Sequence, residues 1–239
     1  MVADSLLPFY LTGPQTCSYL PENQSYSLFL DPEHSLNPTL YSRLSQQGFR
    51  RSGNLVYRPH CRPCQACIPT RVLVDRFKAN RSQRRNWKTN ANLEVKSINS
   101  DFHEEHFALY SRYLNARHAE GEMAHSTPED YRSFLLSNWS TTKILEVREK
   151  GALLAGIVSD YLDDGLSAVY TYYEPTALNK GLGKFAVLLQ IQHTQKLGLP
   201  HLYLGYWIKQ CKKMAYKVEY GPVEYFDGQT WGPSLPNSR

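Results

Sequence analysis

Three cysteines, Cys61, Cys64 and Cys67, with two residues between each and the next, lie in the run Tyr57-Arg-Pro-His-Cys-Arg-Pro-Cys-Gln-Ala-Cys-Ile-Pro-Thr-Arg-Val72, and Cys17 precedes them. Thiolates so spaced can share one soft metal ion, while Pro59, Pro63 and Pro69 keep the segment out of an ordinary helix. Zinc or an iron–sulfur cluster on Cys17, Cys61, Cys64 and Cys67 is one reading; small buried residues with no metal is the other. Cys211, far along the chain, is expected to pack. A second group is basic: from Arg71 to Lys88 seven cationic residues stand against Asp75 alone. That density suits a polyanion, and Trp87 offers a stacking surface; the alternative is a solvated helix face. His103 and His106 share one helix at a spacing open to a metal, but Glu104 and Glu105 between them favour a solvated face.

The elements that must position these groups follow from pattern. Pro38 to Gly48 reads as a helix with Leu40, Tyr41 and Leu44 on one side and Gly48 as its stop. Arg50 to Arg58 reads as a strand into the cysteines, and Leu73 to Phe77 as a strand out of them. Phe102 to Ala119 is an amphipathic helix followed by a turn at Gly121. Thr127, Pro128 and Asp130 then form the start of another helix, with the residue types of a capping box. From Lys143 the texture becomes strand-like: Ile144 to Glu149, Leu153 to Tyr161 and Leu166 to Tyr173, joined at Lys150-Gly151 and Asp163-Asp-Gly165. A glycine turn, Lys180-Gly-Leu-Gly183, opens a helix through Phe185, Leu188 and Ile191, and a strand His201 to Trp207 follows.

A chain of 239 residues, 41% of them hydrophobic, can bury a real core. Three divisions are expected: residues 1–75, cysteine-bearing; 76–142, basic then helical; and 143–239, the meander with its helix and last strand. No run approaches membrane-spanning length and the amino terminus lacks a signal-peptide pattern, so a cytoplasmic location is expected, where five cysteines argue against disulfides. The net charge of +5 is modest but uneven.

Meander, glycine turn, helix and strand is the core order of an N-acyltransferase fold, similar to that of acyl-coenzyme A N-acetyltransferases. In those enzymes the free amides of the glycine turn hold a pyrophosphate; here they could equally take a phosphate of a tRNA end. Leu178 departs from the Gln or Arg usual there. A longer resemblance covers nearly the whole chain. Cys17-Ser-Tyr19, Phe49-Arg-Arg-Ser-Gly-Asn54, Tyr57-Arg-Pro-His-Cys61, Cys64-Gln-Ala-Cys67-Ile-Pro-Thr-Arg-Val72, Ser82-Gln-Arg-Arg85, Tyr110-Ser-Arg-Tyr113, Arg117-His-Ala-Glu-Gly121, Tyr170-Thr-Tyr-Tyr-Glu-Pro175, Leu202-Tyr-Leu-Gly-Tyr-Trp-Ile208 and Cys211-Lys-Lys-Met-Ala-Tyr-Lys217 stand in order. The chain thereby resembles the bacterial aspartate/glutamate leucyltransferases, relatives of the arginyl-tRNA–protein transferases.

What the resemblance implies is an α/β protein. A cysteine-bearing N-terminal part would recognise an acceptor, and a C-terminal acyl-N-acyltransferase-like domain, antiparallel meander with flanking helices, would hold the donor. The donor would be leucyl-tRNA and the acceptor a protein beginning with Asp or Glu. Such a product is marked for degradation and meets a Clp-type adaptor and protease. The ester is already activated, so the chemistry needs alignment and oxyanion stabilisation, and no cofactor.

Arg58 and Arg71 are candidates for the acceptor's acidic side chain, with Cys17 and Cys64 as pocket wall. Glu174 is the first candidate for proton handling, with Tyr172 and Tyr206 beside it and Tyr170 and Trp207 lining the ester. Arg81, Arg84, Arg85, Trp87, Lys180, Gly181, Gly183, Lys212 and Lys213 are candidates for tRNA contact. Arginyl-tRNA as donor, acetyl-coenzyme A as donor, and a metal-stabilised RNA-binding module are the alternatives.

Overall fold

The computed structural model describes residues 6–117 and 125–236. His118 and Gly121 therefore lie outside the described residues. Four short strands, β1 (Phe9–Leu11), β4 (Ser27–Leu30), β5 (Arg50–Ser52) and β6 (Leu55–Pro59), form one sheet in the order β1-β4-β6-β5. A two-stranded ribbon of β2 (Gln15–Thr16) and β3 (Gln24–Ser25) stands beside it. The stretch Arg50 to Arg58 is thus a hairpin and not one strand. Gly53, at φ +58°, makes the turn where a β-carbon would lie 1.8 Å from the Ser133 carbonyl oxygen.

The remaining strands form one eight-stranded sheet: β7 (Ile68–Leu73), β8 (Glu94–Asn99), β9 (Thr142–Glu149), β10 (Ala152–Leu162), β11 (Gly165–Tyr173), β12 (His201–Trp207), β13 (Val223–Phe226) and β14 (Trp231–Gly232). Their order is β14-β13-β7-β12-β11-β10-β9-β8. The expected meander is β9, β10 and β11, antiparallel throughout. β7 is the strand out of the cysteines, displaced toward them: it ends at Leu73, and Val74–Arg76 form a 3-10 turn. It is hydrogen-bonded between β13 and β12, so the segment expected to close the first division is a central strand of the large sheet.

Helices cover both faces because alternate strand residues are apolar on each side. On one face α5 (Leu182–Lys196) packs Val187, Leu188 and Ile191 on Val72, Leu166 and Leu202, and Phe185 and Leu189 on Leu145, Val147 and Ile157. Helix α2 (Arg81–Thr89) joins that face through Trp87, whose ring centroid is 5.3 Å from that of Phe185. On the other face lie α3 (Glu104–Arg117) and α4 (Pro128–Leu135). Leu109, Tyr110, Leu114, Tyr131 and Leu135 meet Ile144, Val158 and Tyr172 there. Helix α1 (Pro38–Gln46) and the small sheet cover the rest of that face, packing on Leu162 and Tyr203.

Local signals behave as their chemistry requires. Asn37 caps α1, Asn80 and Gln83 make a capping box on α2, and Thr127 with Asp130 makes the expected box on α4. The small sheet is fastened to the large one by Arg51, fully buried, whose guanidinium takes both carboxylate oxygens of Asp160 at 2.6 and 2.8 Å and also donates to the carbonyls of Gly53 and Leu135. Among the described residues no helix is long and apolar enough to cross a membrane.

Candidate active site where two parallel strands part

β11 and β12 run parallel and are paired only at Gly165 with His201, Leu166 with Leu202 and Ser167 with Tyr203. Beyond those pairs each continues for several residues with no partner on that side, which leaves a notch between them. Gly205 sits on β12 at φ +77°, where the register with β7 shifts. Its missing side chain makes room for Arg50, which reaches from β5 into the notch. Arg50 donates to the Ala168 carbonyl and to Ser167 Oγ at 3.4 Å.

Three other arginines of the interior have acids. Arg51 has Asp160, Arg71 has Glu224 at 2.7 Å, and Arg148 has Glu146 and Glu105. Among the described residues Arg50 has no ion-pair partner. Tyr19, Tyr57, Tyr206, Tyr216 and Lys217 all lie within reach of its field. Burial first, and then the Arg50 charge, push the Lys217 amine down to about 7. Its Nζ donates to the Tyr206 carbonyl. Sequence reasoning passed over Arg50 and Lys217 except as members of longer blocks.

The donor-side candidates assemble at the same end of β11. Gly181, in the left-handed region at φ +56°, precedes α5 as its N-cap and supplies no capping side chain, so the amides of Leu182 and Gly183 open the helix as donors. Gly183 sits against the Tyr173 ring. Asn86 of α2 donates to the carbonyls of Lys180 (2.8 Å) and Gly181 (3.2 Å), and Gln83 donates to the Glu219 carbonyl at 2.9 Å. The basic helix is thereby fixed to the glycine turn and to the 3-10 turn Tyr216–Tyr220, just after the exposed Lys212 and Lys213 of α6 (Lys212–Ala215). Arg81, Arg84, Arg85 and Lys88 face outward. Lys180 is paired with Glu149 at 2.8 Å. Trp87 is partly buried, with its ring turned onto Phe185.

The other expected residues are placed as follows. Tyr172 is fully buried; Gly156 leaves its ring space, and its hydroxyl bonds His106 Nδ1 at 2.7 Å and Tyr131 Oη at 3.0 Å. Tyr206 is 4% exposed and donates to the Gly48 carbonyl at 3.0 Å. Both hydroxyls are thus spent inside the fold. Tyr170 packs among Tyr110, Tyr113 and Phe134, and Trp207 Nε1 donates to the Ala215 carbonyl at 3.1 Å. Glu174 accepts from Thr176 Oγ1 at 2.8 Å and from Arg112 at 3.1 Å. Burial works to raise its carboxyl, but the Thr176 hydroxyl and amide and then Arg112 outweigh it and hold the carboxyl below the usual range. A carboxylate so held is a weak base.

Arg58 stacks on Phe49 at 4.8 Å, donates to the Gln47 carbonyl at 3.4 Å, and alternates with Tyr57 on β6, whose register partner is Arg50. Arg58 and Arg50 therefore point to opposite faces of the hairpin. Arg71 is engaged by Glu224, by Tyr203 Oη at 3.0 Å and by the Trp231 face at 4.5 Å.

The four N-terminal cysteines are near one another. Burial, followed by the charges Cys17, Cys61 and Cys64 would carry, pushes the Cys67 thiol up to about 12. Tyr26 N–H donates to Cys61 Sγ at 3.3 Å, and Asn23 lies 4.0 Å from Cys64 Sγ. Among the described residues no three His, Cys, Asp or Glu side chains converge as a metal site. Cys211, partly buried, opens α6 beside Lys217.

The histidine pair departs from the solvated face expected of it. His103 is exposed, but His106 is 1% exposed, with Nε2 2.7 Å from Glu146 Oε1. Glu146, pushed down to about 2, first by its bonds from Arg148, must receive that proton, so Nδ1 accepts from Tyr172. A cavity of about 550 Å³ over Asn99, Asp101, His103 and Arg148 opens beside this chain of bonds. Its wall carries no residue of the glycine turn or the parting strands.

A model of the family described as arginine-tRNA-protein transferase, N terminus, matches residues 15–85, and its C-terminus counterpart matches residues 105–227. Proteins named aspartate/glutamate leucyltransferase are similar over nearly their whole length. The one from Pseudomonas fluorescens is 48% identical over 94% of this chain and 96% of its own. That from Alcanivorax borkumensis is 49% identical over 95% and 94%. Among solved structures, L-PGS from Bacillus licheniformis overlaps 61% of this chain and 46% of its own at a TM-score of 0.46 and 15% identity.

Proposed function

The chain belongs to the arginine-tRNA-protein transferase family, and from that premise we propose that it moves leucine from leucyl-tRNA to the α-amine of proteins beginning with Asp or Glu. The observation that carries the reading is one of placement. A notch between parting parallel strands, holding a cation without a counter-ion among the described residues, lies at the end of the sheet where an uncapped helix start is bolted to an outward-facing basic helix. A tRNA end would lay phosphate on the amides of α5 and the guanidinium groups of α2, with Lys212 and Lys213 along its course, and its ester would enter the notch. The order of β9 to β12 around α5 supports an acyl-N-acyltransferase-like reading of this half, and the cysteine loop would wall the acceptor pocket without a metal in the reaction path.

The α-amine attacks the ester carbonyl, the C–N bond forms as the bond to the ribose oxygen breaks, and one proton passes from nitrogen to that oxygen. An α-amine with an ordinary pKa near 8 is mostly charged at neutral pH. Lys217, titrating near 7 beside the notch, is better matched to carry that proton than the ion-paired Glu174. The reaction belongs in the cytoplasm, where charged tRNA is found, and a Clp-type adaptor and protease would meet the product only.

A transfer assay with labelled leucyl-tRNA, arginyl-tRNA and acetyl-coenzyme A against peptides starting with Asp or Ala tests this. Incorporation from leucyl-tRNA into the Asp peptide is expected. Incorporation from arginyl-tRNA instead would change the donor, and from acetyl-coenzyme A the reaction class.

A further inference from the structure

Resting on the reaction proposed above, we infer that Arg50 is the receptor for the side-chain carboxylate of the acceptor's first residue. Arg58 and Arg71, the guanidinium groups nearest the cysteines in sequence, are the obvious rivals. Arg71 is already bonded to Glu224 and Tyr203, and Arg58 lies over Phe49 on the other face of the hairpin. Arg50 alone is partly buried in the notch, without an acid partner among the described residues.

A guanidinium held in a cleft with no counter-ion is a state that proteins avoid unless an anion arrives. Two of its donors are anchored, on Ser167 Oγ and the Ala168 carbonyl, which fixes the plane of the fork and leaves other N–H groups for a ligand. Among the described residues its neighbours bring no acid: Tyr57 stands opposite it across the hairpin, and Tyr19 shares its field. Such a lining accepts a carboxylate and discriminates against the uncharged amide of the same shape. An Asn- or Gln-starting peptide would leave Arg50 desolvated and unpaired. The notch lies beside the place proposed for the ester, so seating the side chain there would bring the adjacent α-amine to the carbonyl.

The same chemistry could instead serve a tRNA phosphate, and the experiment separates the two sources. Transfer from leucyl-tRNA is measured for peptides starting with Asp, Asn, Glu and Gln in wild type, Arg50→Gln and Arg50→Lys, alongside leucyl-tRNA affinity. The preference in kcat/KM for Asp over Asn should fall by roughly 30-fold or more in Arg50→Gln and less in Arg50→Lys, with tRNA affinity unchanged. An equal loss for all four peptides, or a loss of tRNA affinity, would overturn the assignment. A measurement that needs no catalysis runs beside it: succinate, and not succinamide, should raise the melting temperature of wild type but not of Arg50→Gln. If no transfer from any aminoacyl-tRNA occurs yet succinate stabilises through Arg50, the reaction is wrong and the receptor stands. If succinate has no effect on wild type, the receptor is wrong.

Discussion

The Arg50 guanidinium carbon lies 3.0 Å from the point that a β-carbon would occupy at Gly205. Real β-carbons do not sit so close without displacing a neighbour, and Gly205 is also in the left-handed region. Gly205→Ala is therefore expected to cost about 1–2 kcal/mol of stability from the backbone and, separately, to shift the Arg50 guanidinium within the notch by a few tenths of an ångström. A folded variant whose preference for acidic acceptors has weakened is the expected outcome, read by thermal melting and by transfer to Asp and Asn peptides. Unaltered preference would mean that Arg50's position is not what Gly205 protects.

Arg51, next in sequence, has the opposite fate. Its pair with Asp160 is wholly buried, and Thr142 Oγ1 also donates to Asp160 at 2.7 Å. Removing one member leaves a buried charge, so Arg51→Met should lose about 3–5 kcal/mol in urea unfolding. Arg51→Met with Asp160→Leu should recover part of it. A single substitution with less than about 1 kcal/mol of effect would show that the clamp is not a clamp.

The pair His106–Glu146 contributes to acid stability. Burial, the largest influence, holds His106 below its ordinary value, and bonds from Arg148 and His106 hold Glu146 at about 2. Both folded values lie below the unfolded ones, so both contributions are present above the unfolded values and lost as pH falls: His106 from about 6.5 downward, Glu146 from about 4.5 toward 2. Wild type should weaken steadily below about pH 6.5, and His106→Gln should flatten the upper part of that slope. Identical pH profiles would show that His106 has no part in it.

The outward cations of α2 should be felt in salt. Neutralising Arg84 and Arg85 together should reduce the slope of log affinity for leucyl-tRNA against log salt by about 0.7–0.9 for each phosphate left without its cation. Trp87→Ala should instead lower stability and leave the slope alone. A slope unaffected by the double change would make the basic face a matter of solubility.

The difference between what was legible in the sequence and what was not is a difference of range. The capping box of α4 and the turns of the meander are local devices, and they appear where the residues require. The inward turn of Trp87 and the burial of His106 depend on what packs above them; an amphipathic helix with Glu104 and Glu105 beside the histidine carries no sign of Tyr172, 66 positions away. Arg71 looks free until Glu224 arrives from 153 residues on. Arg50 and Gly205 come together only because the side chain of Arg50 reaches from the small sheet to the place where β11 and β12 separate, a consequence of topology that no window of sequence contains.

What matters most is the identity of the bond made. Leucyl-tRNA is incubated with the protein and two peptides of one sequence, one with a free N-terminal Asp and one N-acetylated, and the products are read by fragment mass spectrometry. One leucyl group is expected on the α-amine of the free Asp peptide and none on the acetylated one. Leucine on a lysine side chain, equal labelling of both peptides, or no transfer from leucyl-tRNA at all would contradict the proposed reaction.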